Sequence, residues 1–320
     1  MEAPLSPTGP AKLYALTLKL RPLQYGTLMA FSGELVHGAF LRWLRTSAPD
    51  VASWLHEGNR RRLFTCSSLQ YPFSEARMLD SERRNVHLPL EPENTYILRL
   101  TLLLGELFPL FHDALIGFSA AHTGEAKPPF MQLGKQLFLL EEVGITNDEP
   151  DVWTGFTTLA SLFEQARRSG LTREATLTLD FDSLTTFSRG NSKIGYGMHP
   201  VMLPLPQYVF QNLARRWQDV APPELAGVVQ SERIDRYLQE DGIIIYDYDL
   251  KAHYVQFTTH QQRGFLGSCT YLLRGPDEPT SVDAPLTVRQ QLLLLAQLAF
   301  YSGIGYKTAM GLGRARVRRL

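Results

Sequence analysis

Leu16, Leu18 and Leu20 alternate with Thr17, Lys19 and Arg21, a period of two that predicts a strand over residues 13–23 with one buried face. A turn follows at Tyr25-Gly26. Ser32 is placed to cap a helix on which Val36, Ala39, Phe40, Trp43 and Leu44 recur at helical spacing. Pro49 interrupts that helix, and a shorter helical piece carries Val51, Trp54, Leu55 and His56. Strand-like apolar runs return at 63–69, 96–104 and 135–143. Between the last two, Leu107, Leu110, Phe111, Ala114 and Leu115 predict a second helix. The order strand, helix, strand, strand, helix, strand is that of the ferredoxin-like unit.

A helix over 153–168 would end at Gly170, a plausible boundary. The plan then repeats: a strand at 176–181, and a helix at 206–217 with Val209, Phe210, Leu213 and Trp217 on one face. A hairpin made of 241–248 and 254–259 follows, then a strand at 264–273, an apolar helix at 287–301 and a last strand at 314–317. The halves share an architecture, not a sequence. The predicted fold is α+β, two tandem ferredoxin-like (RRM-like) βαββαβ domains, 1–170 and 171–320.

Composition changes this picture little. Hydrophobic residues make up 44% and charged residues 20%, ordinary for a chain that buries a core. No stretch approaches the apolar length of a membrane span, and the N-terminal MEAPLSPTGPAK lacks the pattern of a signal peptide. Two cysteines, Cys66 and Cys269, are too few for a disulfide framework or a cysteine zinc site. These features predict a cytoplasmic protein without a membrane contact. Net charge is zero, with 32 basic and 32 acidic residues, which argues mildly against indiscriminate nucleic-acid binding. The distribution is less even: Lys307, Arg314, Arg316, Arg318 and Arg319 fall in a terminal segment without an acidic residue, and Arg60, Arg61 and Arg62 follow His56. A basic run can equally be a solvated face.

Gly303, Gly305, Gly311 and Gly313 form G-x-G-x5-G-x-G between the apolar helix and the last strand. Four glycines in so short a segment allow positive φ and close backbone approach, and such a loop can present amide N–H groups to phosphates. Lys307 lies within it, and Arg314 and Arg316 follow. The spacing is not a dinucleotide-binding fingerprint, because Thr308 stands where the third glycine belongs, nor a P-loop, because the only nearby Lys-Thr follows Tyr306. The structural alternative is a turn whose glycines let helix and strand pack.

At this point the sequence is recognisable. FYSGIGYKTAMGLGRARV resembles the C-terminal signature of the CRISPR repeat-processing endoribonucleases, the sixth CRISPR-associated protein family. Other segments resemble the family in order: HGAFLRWLRTSAPDVASWLHEGNRRRLFTCSSL, DSLTTFSRG with LPLPQYVFQNLARRW, and RGFLGSCTYLL. The resemblance spans nearly the whole chain, although 80–128 is generic. It implies two ferredoxin-like domains, a repeat RNA as partner, and an enzyme that matures guide RNA without a metal or other cofactor. It also implies delivery of that guide to subunits of an interference complex. A catalytically inactive relative that only holds repeat RNA in such a complex is the alternative. Monomer and homodimer are both compatible with the sequence.

Eight histidines are present, and none forms HxxxH or HxH. His112-Asp113 is better read as a packing or surface pair than as a metal ligand. His56 lies after the first helix and before the Phe-Thr strand, where the resemblance places a general acid/base histidine. A ring that titrates near neutrality suits either proton transfer of metal-free RNA cleavage. The bland reading is a helix-terminal histidine held by the macrodipole. Arg60, Arg61 and Arg62 are placed to supply positive charge, and Arg62 matches a basic residue of some relatives. His37 matches a second functional histidine of some relatives, with a half-buried structural role as its alternative. Leu41 stands where some relatives carry a catalytic tyrosine, and Tyr25 is the candidate substitute. The resemblance implies RNA contacts at Arg60, Arg61, Gly303, Gly305, Lys307, Gly311, Gly313, Arg314 and Arg316.

Overall fold

The computed structural model describes residues 11–56, 62–120, 129–146, 153–171, 174–191, 195–275, 280 and 284–318. The chain divides into two compact units: Met1–Phe156 with Val255–Gln261 and Ala309–Gly311, and Thr157–Tyr254 with Gln262–Thr308 and Leu312–Leu320.

The first unit runs through β1 (Lys12–Pro22), β2 (Gly26–Met29), α1 (Gly33–Ser47), α2 (Pro49–His56), β3 (Phe64–Cys66) and α3 (Glu75–Arg84). It continues with β4 (His87–Leu90), β5 (Tyr96–Leu102), α4 (Leu107–Ala120), β6 (Phe130–Leu133) and β7 (Gln136–Gly144), and β8 (Gly155–Thr158) crosses the boundary in sequence. The alternating leucines decide the register: β1 pairs antiparallel with β5, Leu16 opposite Leu100 and Leu18 opposite Leu98, and on its other side with β7. The strand order β3-β5-β1-β7, extended by β6, is the ferredoxin-like order. Leu16, Leu18 and Leu20 are fully buried, as are Phe40 of α1 and Phe111 of α4, whose rings lie 6.2 Å apart.

The second unit adds α5 (Leu159–Arg168), β9 (Ala175–Thr185), β10 (Phe187–Asn191), β11 (Tyr196–Val201), α6 (Pro206–Val220), α7 (Pro223–Ala226) and α8 (Ser231–Gln239). It is completed by β12 (Ile243–Gln256), β13 (Gln261–Leu273), α9 (Val288–Ser302), a 3-10 turn (Thr308–Met310) shared between the units, and β14 (Ala315–Val317). Its sheet order, β12-β13-β9-β14, repeats that of the first unit. The chain is therefore a tandem ferredoxin-like α+β protein. No helix among the described residues is long and apolar enough to cross a membrane.

Three local expectations are revised. Residues 155–158 form a strand, and the helix begins only at Leu159, because the hydroxyl of Thr158 accepts the Ser161 N–H at 3.0 Å and caps it there. Residues 243–256 form one long strand. The hairpin closes later, across Thr258-Thr259, where the Phe257 N–H donates to His260 O at 2.9 Å. Ser32 stands at the N-cap of α1, but its hydroxyl accepts the Leu69 N–H at 2.9 Å and ties the helix start to the loop after β3.

α9 is buried along most of its length, so its ends must satisfy their own polar groups. Thr287 does so with a capping box: its hydroxyl accepts the Gln290 N–H at 3.2 Å while Gln290 Oε1 accepts the Thr287 N–H at 3.0 Å. Thr287→Ala is expected to lower unfolding stability by about 1 kcal/mol, measured by urea denaturation.

Candidate active site

α1 carries its apolar stripe inward, with Val36, Ala39, Phe40, Trp43 and Leu44 all buried. The buried surface is wider than that stripe. His37 is only 7% exposed, and Leu41, one turn on, is also buried. The His37 ring stacks on Phe64 of β3, centroids 5.5 Å apart and nearly parallel. Its Nδ1 lies 3.0 Å from the carbonyl oxygen of Ala309, in the 3-10 turn of the glycine-rich segment. The same carbonyl accepts from Cys66 Sγ at 2.7 Å.

Burial is the largest influence on His37 and lowers its pKa from the ordinary histidine value to about 4. The Ala309 carbonyl opposes that shift, the positive charges of Arg62 and His56 reinforce it, and Glu34 opposes it weakly. His37, His56 and Arg62 are therefore within electrostatic reach of one another. His56 is the exposed last residue of α2. Arg62 binds the end of that helix, Nη2 donating to His56 O at 2.7 Å and Nη1 to Leu55 O. A guanidinium on the last carbonyls of a helix satisfies groups that otherwise lack partners, and it complements the negative end of the macrodipole. Arg62 thus holds the end of helix α2 at His56, and its positive charge is felt at His37. Arg60 and Arg61 lie outside the described residues.

Tyr25 does not join this group. It is 69% exposed in the turn after β1, and its hydroxyl donates to Glu93 Oε1 at 2.6 Å. That hydrogen bond and the nearby Glu93 and Glu91 carboxylates raise its pKa above the usual phenol value. His112 and Asp113 form an exposed surface pair, 3.5 Å apart. Among the described residues, no three His, Cys, Asp or Glu side chains converge as a metal site.

The glycine-rich segment is mostly buried, with its neighbours pressed against its own backbone. Gly303, Gly305, Gly311 and Gly313 all have positive φ, between 63° and 92°. The Ile304 N–H donates to Gly313 O at 2.8 Å, Gly305 N–H to Asn212 Oδ1 at 2.9 Å and Tyr306 N–H to Thr186 O at 2.9 Å. The Gly313 N–H donates to Leu184 O, and the Arg314 N–H to Ser183 Oγ, both at 2.9 Å. These amides are taken up within the second unit, so the expected cradle of amides for phosphate is not built from them. Lys307, itself at φ 57°, lies with its ammonium 5.6 Å from the ring of the exposed Tyr306. Arg314 pairs with Asp182, and Arg318 with Asp180 at 2.6 Å. β9 thus supplies acidic partners that the local sequence around Arg314 and Arg318 does not contain, and Arg316 sits opposite Asp180 in the same register.

Sequence reasoning missed Ala309 as the partner of His37. An alanine carbonyl carries no signal in side-chain chemistry, and 272 residues separate the two.

Residues 179–315 match the family model of the CRISPR-associated endoribonuclease Cas6. No curated protein matches the chain in sequence. Among solved structures, the product complex of Cas6 (TTHB231) is 24% identical, with 96% of this chain and all of that one covered and a TM-score of 0.70. Thermus thermophilus Cas6 (TTHB231) is 24% identical over 97% of this chain and all of that one, with a TM-score of 0.60. The product complex of Cas6 (TTHA0078) is 22% identical over 96% of this chain and all of that one, with a TM-score of 0.64. The chain is thus similar to the CRISPR-associated endoribonuclease Cas6 over residues 179–315, and it shares the tandem fold of the Cas6 structures over nearly its whole length.

Proposed function

We propose that the protein is a metal-independent endoribonuclease that cleaves CRISPR repeat RNA within the repeat and so releases mature guide RNA. The observation that carries this reading is the approach of His37, His56 and Arg62 to within electrostatic reach of one another, two proton-transfer groups near a fixed positive charge, in a chain that matches the Cas6 model over residues 179–315 and shares the Cas6 fold. In the proposed reaction one histidine takes the proton of the 2′-hydroxyl next to the scissile phosphate. The 2′-oxygen bonds to phosphorus, the bond to the 5′-oxygen breaks, and the second histidine protonates that oxygen. The products are a 2′,3′-cyclic phosphate and a 5′-hydroxyl, and Arg62 stabilises the charge that builds on the phosphoryl oxygens. Lys307 with Tyr306 meets the RNA backbone at the outer edge of the glycine-rich segment, and Arg316, Arg60 and Arg61 add positive charge. Work in the cytoplasm, as a monomer or homodimer that hands its guide to interference-complex subunits, completes the reading.

Cleavage of a repeat RNA in excess EDTA tests it. The wild-type protein is expected to cleave, and His56→Ala to cleave about 10²- to 10⁴-fold more slowly. Full activity in His56→Ala, or a requirement for magnesium, overturns the mechanism. Binding of the repeat without any cleavage of it identifies an inactive RNA-holding subunit instead.

A further inference from the structure

The partner of His37 determines where its proton sits. A carbonyl oxygen has no proton to give, so the 3.0 Å contact between His37 Nδ1 and Ala309 O is a hydrogen bond only when Nδ1 is protonated. The second group on that oxygen, Cys66 Sγ, is also a donor, and burial raises its pKa, so it keeps its proton. We propose that the C-terminal 3-10 turn is a positioning device: the Ala309 carbonyl holds His37 as its Nδ1–H tautomer, leaving Nε2 as the proton acceptor for the 2′-hydroxyl and the acid role to His56. This rests on the reading that His37 takes part in cleavage.

The groups around the ring agree with a neutral base. Arg62 and His56 both disfavour a second proton, Phe64 covers one face, and the opposing Glu34 and Ala309 O do not offset burial. Glu34 is itself engaged, accepting from the Thr258 N–H at 2.7 Å and hydroxyl at 2.8 Å. At neutral pH the ring is uncharged and its free lone pair is on Nε2.

Two glycines seat the turn against the start of α1. A Cβ on Gly33 would overlap Met310 O, and one on Gly311 would lie 3.1 Å from Gly33 Cα and 3.2 Å from both Phe31 Cε2 and Ser68 Oγ. Gly311 also sits at φ 92°, where other residues are strained. The third glycine of the signature thus has a role in placing a histidine carried by the first helix.

The test is two-bond ¹H–¹⁵N spectroscopy of the full chain labelled in its histidines, with His37 assigned by its loss in His37→Ala. A neutral Nδ1–H pattern at pH 7, persisting to about pH 5, is expected. An Nε2–H pattern or an imidazolium at pH 7 overturns the inference, and if His37→Ala has also lost cleavage, the functional reading survives that failure. Gly311→Ala is expected to shift His37 away from the pure Nδ1–H tautomer and to slow single-turnover cleavage about 10-fold or more. Its affinity for a repeat with a 2′-deoxy cleavage site should stay within about twofold of wild type. An unchanged rate with a shifted tautomer overturns the positioning role. Wild-type cleavage in His37→Ala overturns the assignment of His37 to the chemistry.

Discussion

Replacing His37 with alanine is expected to lower the single-turnover rate of repeat cleavage by about 10²- to 10⁴-fold, while leaving affinity for a 2′-deoxy repeat little changed. On the proposed mechanism the loss in rate follows from removing the proton acceptor, a ring whose pKa burial lowers to about 4. Loss of fold does not account for it. The substitution removes one hydrogen bond and a ring stacked on Phe64, but Ala309 O keeps its second donor, Cys66 Sγ at 2.7 Å. No buried acceptor is orphaned, so the stability cost should be that of a truncated, partly recoverable site, about 1–3 kcal/mol. His37→Asn separates the two roles. The asparagine amide can donate to Ala309 O from the place of Nδ1, yet it has nothing at the place of Nε2. Cleavage as slow as in His37→Ala, with a melting temperature closer to wild type, is the expected result. Wild-type cleavage by His37→Asn would show that the residue only holds the turn.

How much of this site could be read in the sequence depends on whether the partners are near in sequence or only in space. The helical stripe from Val36 to Leu44 is a local pattern, and it positions His37 on α1 as the spacing predicts. The stripe could not show that His37 is buried, because what covers it is Phe64 of β3 and the turn at Ala309. Neither is a neighbour on the helix. The terminal basic run failed for the same reason in the opposite sense. Arg314 and Arg318 have no acidic residue near them in sequence, yet strand pairing puts β14 beside β9 and gives them Asp182 and Asp180. Alternation in the leucines of β1 carried the ferredoxin-like order, since a strand buried on one face has only one register that keeps its leucines inside. The strand at 155–158 escaped because Phe156, Thr157 and Thr158 could continue either periodicity. A cap at Thr158 decided it. Turns and caps are settled by single hydrogen bonds, so they are the least legible part of the fold.

The spacing G-x-G-x5-G-x-G has a physical cause that a stability experiment can separate from RNA binding. Gly305 sits at φ 92°, and a Cβ there would overlap the carbonyl oxygen of Thr186, which already accepts the Tyr306 N–H at 2.9 Å. The Gly305 N–H in turn donates to Asn212 Oδ1 on α6 at 2.9 Å. An alanine must adopt a conformation that costs about 1–2 kcal/mol and push apart backbone that has no flexible side chain to yield. Overpacking of that kind adds about 1–3 kcal/mol, so Gly305→Ala is expected to destabilise by about 2–5 kcal/mol in urea unfolding. Gly170→Ala is the control: nothing lies within 4 Å of the added methyl, and the change should stay within about 0.5 kcal/mol. If the glycines served chiefly to admit a phosphate, Gly305→Ala would instead weaken RNA binding and leave the unfolding midpoint where it was. A loop whose amides are bonded to Thr186, Leu184, Asn212 and Ser183 leaves little room for that outcome. The glycines make the terminus thin enough to pass against its own backbone.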